Sequence, residues 1–176
     1  FPGMRRLRRA CAEQLTVLFA RPDLHAESIR LLLKAARPAA LVSFFWDRQI
    51  PPEVLALAPL RIGAHPSLLP RHRGPDPYFW TLYRGDPTAG ATVFSLTDRL
   101  DEGPLLAQSS VEVPPKANAL KLAYRLDAIC LQLLRRVLAT LARGDTLSAR
   151  PQDDLEIEAT EAPFPSDDLL EIRWSA

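Results

Sequence analysis

The chain has 176 residues, 47% of them apolar, with 22 Lys+Arg against 21 Asp+Glu for a formal net charge of +1. That is one domain's worth of chain with material for one sizeable core. The balanced charge and a mean hydropathy of −0.06 exclude wholesale disorder and a nucleic-acid binder that works by bulk charge. The most apolar stretch, residues 39–46, falls far short of the ~20 residues of a membrane span, and the Arg-rich residues 4–12 lack the apolar run of a secretory signal.

The chain opens on Phe1 rather than Met, the mark of a processed or incomplete start. Residues 5–13 predict a short helix with Arg5, Arg6, Arg8 and Arg9 on a solvated face, and residues 15–20 a buried strand. Asp23 is a candidate N-cap for a helix over 24–36, where Ile29, Leu32, Leu33 and Ala36 recur at helical spacing. Pro38 stops that helix, and 39–45 is a second continuous apolar strand. Residues 50–57 predict a short helix entered through proline, and 60–64 a third strand ending at His65-Pro66. An aromatic helix follows over 78–83, with Trp80 assigned to the core. Strands are expected over 90–96 and 105–113, then a long amphipathic helix over 119–142 closed by Gly144, with Arg135 and Arg136 on its surface. Residues 145–176, polar and acidic, read as a tail wrapping the same domain rather than a second one.

Unalternating apolar strands suit a parallel sheet covered on both faces. The expected fold is therefore α/β and Rossmann-like, with a mostly parallel sheet, over residues 1–144. Two cysteines, Cys11 and Cys130, are too few for a zinc site, and no metal-ligand spacing appears, so no metal is expected. Both sit in apolar-periodic segments and read as buried free thiols of a reducing compartment, the cytoplasm.

In such sheets ligands bind beyond the carboxyl ends of the strands, which directs attention to two loops. The first is His65-Pro-Ser-Leu-Leu-Pro-Arg-His-Arg-Gly74. A histidine at a strand end is suited to proton transfer near neutral pH, and Arg71 and Arg73 suggest a cationic rim beside it. His72 competes for the role but, between two arginines, reads as solvated. The second loop, Thr97-Asp-Arg-Leu-Asp-Glu-Gly-Pro104, offers Asp98, Asp101 and Glu102. A carboxylate reaching the histidine would orient its ring and fix its tautomer; composition does not choose among the three.

The run His65-Pro-Ser-Leu-Leu-Pro…Arg-Gly74, then Gly90-Ala-Thr-Val, then Leu100-Asp-Glu-Gly-Pro-Leu-Leu-Ala-Gln108 resembles the folate-dependent formyltransferase family. The resemblance implies transfer of a formyl group from 10-formyltetrahydrofolate to a primary amine of a small-molecule, sugar-nucleotide or aminoacyl substrate, with tRNA the less favoured partner. It places the family's catalytic histidine on His65 and its catalytic aspartate on Asp101. It assigns the pteridine pocket to Trp46, Arg48 and Ile50 with Leu96, Thr97 and Leu100. Ser67, Leu68, Leu69, Pro70, Arg71, Arg73 and Gly74 become the substrate loop. Two departures stand out. The family's oxyanion-holding Asn, two residues before the histidine, is Gly63 here, and the family's first strand, helix and second strand are expected to be missing. The alternatives are a catalytically weak or inactive binding domain, or a formyltetrahydrofolate hydrolase.

Overall fold

The computed structural model describes residues 23–170. The helix and strand expected over 5–13 and 15–20, the arginine face and Cys11 lie outside those residues. Helix α1 (Glu27–Ala36) is capped by Ala26 without a side-chain hydrogen bond. Asp23 is not its cap, because its Oδ1 accepts the nearby His25 N–H at 3.0 Å in a local turn instead. Strand β1 (Ala40–Phe44), helix α2 (Pro52–Leu55) and strand β2 (Leu60–His65) follow.

Helix α3 (Pro77–Tyr83) starts where Pro77 presets the first turn and the Asp76 carboxylate accepts the Phe79 N–H at 3.2 Å. Strands β3 (Thr88–Ser95) and β4 (Leu105–Glu112) lead to helix α4 (Ala119–Ala142). Asn118 caps that helix by accepting the Lys121 N–H at 2.9 Å, and Gly144 with φ 81° ends it. Beyond it lie a 3₁₀ turn (Gln152–Asp154) and helix α5 (Asp167–Leu170).

The described strands form one sheet in the order β1-β2-β3-β4. The α/β class holds, but the sheet among the described residues is mixed rather than mostly parallel: β1 and β2 are parallel, while β2–β3 and β3–β4 are antiparallel. Residues 96–104, which join β3 to β4, are too few for a crossover, so β4 must return antiparallel. A second expectation changes with this. The carboxyl ends of β2 and β3 point in opposite directions, so the two chemistry-bearing loops do not leave one end of the sheet together.

Strand alternation then decides which face does chemistry. Ile62 and Ala64 of β2, with Ala91 and Val93 of β3, pack against Cys130, Leu133, Leu134 and Val137 of α4. Gly63 and His65 therefore share the opposite face of β2. Their register partners on β3 are Phe94 and Thr92. On that second face Leu33, Ile50, Val54 and Leu55 form a separate cluster with Leu41, Trp46 and Leu96 beside it. Cys130 is a free, fully buried thiol whose ionisation burial opposes.

Candidate active site

His65 is 7% exposed. Its Nε2 lies 2.7 Å from the His72 carbonyl oxygen. A carbonyl only accepts, so Nε2 carries a proton and donates it there, which leaves Nδ1 as the nitrogen turned to the second loop. Nδ1 faces Asp101 Oδ2 at 3.6 Å. That is ion-pair range and longer than a hydrogen bond, a separation that can tighten when a ligand closes the site.

Of the three carboxylates in the second loop, Asp101 is the one that reaches the histidine. Asp98 is exposed, and Glu102 pairs with Arg73 at 3.8 Å and Arg99 at 3.4 Å. Asp101 gets there because its loop folds back over the sheet. Gly103 lies so close to the Ser95 carbonyl that a Cβ would sit 1.7 Å from its oxygen, and Asp101 takes a left-handed φ of 55°. Its Oδ2 accepts the Gly74 N–H at 2.9 Å, tying the second loop to the first.

The first loop is pegged to β3 by Thr92, which is fully buried. The Thr92 hydroxyl donates to the Ser67 carbonyl at 2.7 Å and accepts from the Leu69 N–H at 3.2 Å and Gln108 Nε2 at 2.8 Å. Leu69 is wholly buried against Phe94 and Leu105, Leu68 is half-buried, and Pro70 is buried behind a cis peptide bond. The Ser67 hydroxyl donates to the Arg71 carbonyl at 2.6 Å. These residues shape the loop rather than face outward. Arg71 is exposed, but Arg73 is no rim cation: its side chain is 12% exposed, and its Nε and Nη2 donate to Gln152 at 3.1 and 2.8 Å.

His72 is not solvated. It is 4% exposed, with φ 59°, and its Nε2 lies 2.5 Å from Asp86 Oδ2. Asp86 lies beyond α3, out of view of any local reading of the loop. The His72 Nδ1 is buried without a partner among the described residues, which suits a neutral ring whose Nε2–H donates to Asp86. Burial lowers the His72 pKa, outweighing the attraction of Asp86, and the Arg84 and Arg71 charges push the same way. Below the ordinary imidazole value of about 6.5 the unfolded chain takes up a proton that the folded site refuses. Stability should therefore fall as pH drops from about 7 to 5, and thermal melts of His72→Gln should show a shallower fall.

Trp80 is half-buried rather than core. Its indole donates to the Pro163 carbonyl at 2.7 Å and the Arg84 guanidinium lies 5.2 Å from its ring centroid.

Trp46, Arg48, Ile50, Leu96, Thr97 and Leu100 line one cleft, together with Gln49 and Asp101. Gln49 Nε2 donates to the Asp98 carbonyl and so links the two walls. Ile50 is buried, Leu100 is 36% exposed and Arg48 points to solvent beside Asp47. Among the described residues Trp46 Nε1 is a buried donor with no partner. A larger cavity, about 580 Å³, lies against Leu55, Leu60, Ile62 and Leu141, and neither His65 nor Asp101 lines it. Sequence reasoning missed Gln152, Thr92, Asp86 and Phe94; only Thr92 carried a local signal, as a hydroxyl amid buried strand residues.

The Formyl transferase family model matches residues 8–138. Methionyl-tRNA formyltransferase of Chloroflexus aurantiacus is 35% identical over 144 residues, covering 81% of this chain and 46% of the relative, so the chain spans about half the length of that relative. Among solved structures, HypX from Aquifex aeolicus in complex with tetrahydrofolic acid superposes with a TM-score of 0.77 at 21% identity, covering 98% of this chain and 29% of that one. Glycinamide ribonucleotide transformylase 1 from Symbiobacterium toebii superposes with a TM-score of 0.69 at 25% identity, covering 84% and 74%. With the family model matched over most of its length, the chain belongs to the formyl transferase family.

Proposed function

We propose that this chain moves a formyl group from 10-formyltetrahydrofolate to a primary amine, with His65 as general acid and base and Asp101 as its partner. The observation that carries the reading is the buried His65 ring, its Nε2–H held by the His72 carbonyl and its Nδ1 turned to the Asp101 carboxylate at 3.6 Å. We assign the pteridine to the cleft between Trp46 and Leu100, which holds about 20 Å³ as it stands and must open to admit the rings: its walls offer Ile50, Leu96 and Leu100 as apolar surface, and Trp46 Nε1 supplies a buried donor for a ring acceptor. When bound, the folate supplies a formyl carbon open to attack by an amine.

The residues of this chain do the rest. Nδ1 of His65, the nitrogen not taken by the His72 carbonyl, would receive the proton that the attacking amine sheds, with the ionised Asp101 carboxylate 3.6 Å away holding the imidazolium, and would pass that proton to the tetrahydrofolate nitrogen as its bond to the formyl carbon breaks. The buried first loop limits access of bulk water to the pair. Residues 1–144 form the transfer domain in this reading, with 145–176 wrapped on it, and a reducing cytoplasm suits the buried Cys130 thiol. Acceptors are primary amines on a small molecule, a sugar nucleotide or an aminoacyl group, with tRNA the less favoured partner.

The test is calorimetric titration with a non-reactive analogue of the donor. The folded chain is expected to bind it, and Leu100→Glu should weaken binding about tenfold or more by leaving a carboxylate against the ring. A folded chain that does not bind the analogue would overturn the proposal.

A second reading, a catalytically weak or inactive member of the family, is favoured by one observation. Gly63 offers no side-chain amide, and a Cβ there would lie 2.5 Å from Phe94 Cζ, so the ring fills the space such a side chain would need.

A further inference from the structure

We propose that Gln152, in the segment after α4, is a positioning residue that holds Asp101 against His65 by clamping the two loops with a single side-chain amide. It acts on the formyl-transfer site proposed above, although its structural consequence does not depend on that activity.

Gln152 is 4% exposed. Its Nε2 donates to the carbonyls of Asp101 and Gly103, each at 2.8 Å, and its Oε1 accepts from Arg73 Nε at 3.1 Å and Nη2 at 2.8 Å. Two donors and two acceptors are all that a carboxamide has, so every hydrogen-bonding position is used and the amide can point only one way. Asp101 needs such a restraint. Its left-handed φ of 55° is unfavourable for a residue with a Cβ and persists only where the surroundings impose it. Asp101 is then held at both ends, its carbonyl by Gln152 and its carboxylate by the Gly74 N–H at 2.9 Å.

The same stretch of chain also fastens the first loop. Arg73 N–H donates to the Thr160 carbonyl at 2.8 Å, the Ala162 N–H to the Arg73 carbonyl at 2.6 Å and the His72 N–H to the Thr160 hydroxyl at 2.9 Å. His72 in turn offers the carbonyl that fixes the His65 tautomer. The segment after α4 therefore sets both members of the His65–Asp101 pair, one through backbone and one through Gln152.

Gln152→Glu and Gln152→Met separate this role from packing. Glutamate keeps the volume and the Arg73 contact but sets an acceptor against two carbonyl oxygens; methionine keeps the volume alone. Amide hydrogen exchange at Gly74, read by NMR on the full chain, is the deciding measurement. It is expected to quicken about fivefold or more in both variants, while amides of the β3–β4 ladder keep their protection. With an active preparation, kcat should fall about tenfold to a hundredfold with the donor KM within about threefold, and little more should be lost when Asp101→Asn is already present. Unchanged exchange at Gly74 in either folded variant would overturn the proposal. If the parent chain shows no formyl transfer, the Gly74 result still decides the role of Gln152 and the failure falls on the activity alone. Should Gln152→Met not fold, Gln152→Glu carries the test.

Discussion

Replacing His65 with alanine is expected to lower turnover of 10-formyltetrahydrofolate by about 10²–10⁴-fold, the usual worth of a positioned acid–base group. The imidazole donates its Nε2–H to the His72 carbonyl and sets Nδ1 3.6 Å from the Asp101 carboxylate. Losing the ring removes the proton donor and leaves Asp101 without its partner. His65→Gln sharpens the experiment, since its amide can still donate to the His72 carbonyl but cannot titrate. If both variants lose turnover alike and still bind the donor analogue, the loss is chemical. Turnover retained in His65→Gln would mean that the histidine serves the fold.

Restoring an amide beside the histidine should fail at first attempt. In Gly63→Asn the new Cβ meets Phe94 Cζ at 2.5 Å and Leu96 Cδ2 at 2.8 Å, and Phe94 is itself 2% exposed in a cluster with Leu69 and Leu105. Overpacking of that kind costs about 1–3 kcal/mol, so the variant should melt several degrees lower with no gain in turnover. Gly63→Asn combined with Phe94→Ala opens the space, and turnover should then rise by up to about 10²–10³-fold, the worth of one preorganised donor in a comparable site. Thermal melts and donor turnover on the two variants beside the parent chain check this. A single Gly63→Asn change that leaves stability intact and raises turnover would show that the ring does not occupy the amide's place.

The long helix was legible to the residue, because over 119–142 an apolar stripe at helical period is bracketed by a capping Asn118 and by Gly144. The strands were legible to within one or two residues, since short apolar runs bounded by Pro, Gly or Asp mark them. Strand direction was not, because a buried run reads the same either way and only the length of the 96–104 connection speaks for a reversal. His65 and Asp101 were legible through ordered motifs whose spacing survives in the chain. Their supports were not: Asp86 lies 14 residues from His72, Gln152 lies 51 residues from Asp101, and neither pairing leaves a local pattern. The burial of His72 followed from that blindness, because two flanking arginines say solvent while the chain around Thr160 and Asp86 encloses the ring.

Gly63 was legible as a missing amide, whereas the reason it matters lies across the sheet. Register sets Phe94 opposite Gly63, so the glycine and the phenylalanine form one packing unit. The absence of the amide is thus built into this core.

The most direct test follows the fate of a ¹³C-labelled formyl group by NMR, with the chain, labelled 10-formyltetrahydrofolate and a panel of primary amines, beside His65→Ala. The account predicts label appearing as a formamide of one acceptor class, with tetrahydrofolate released and the His65 variant slower by about 10²-fold or more. Label that stays on the donor, or leaves it at the same rate in both proteins, would contradict the account.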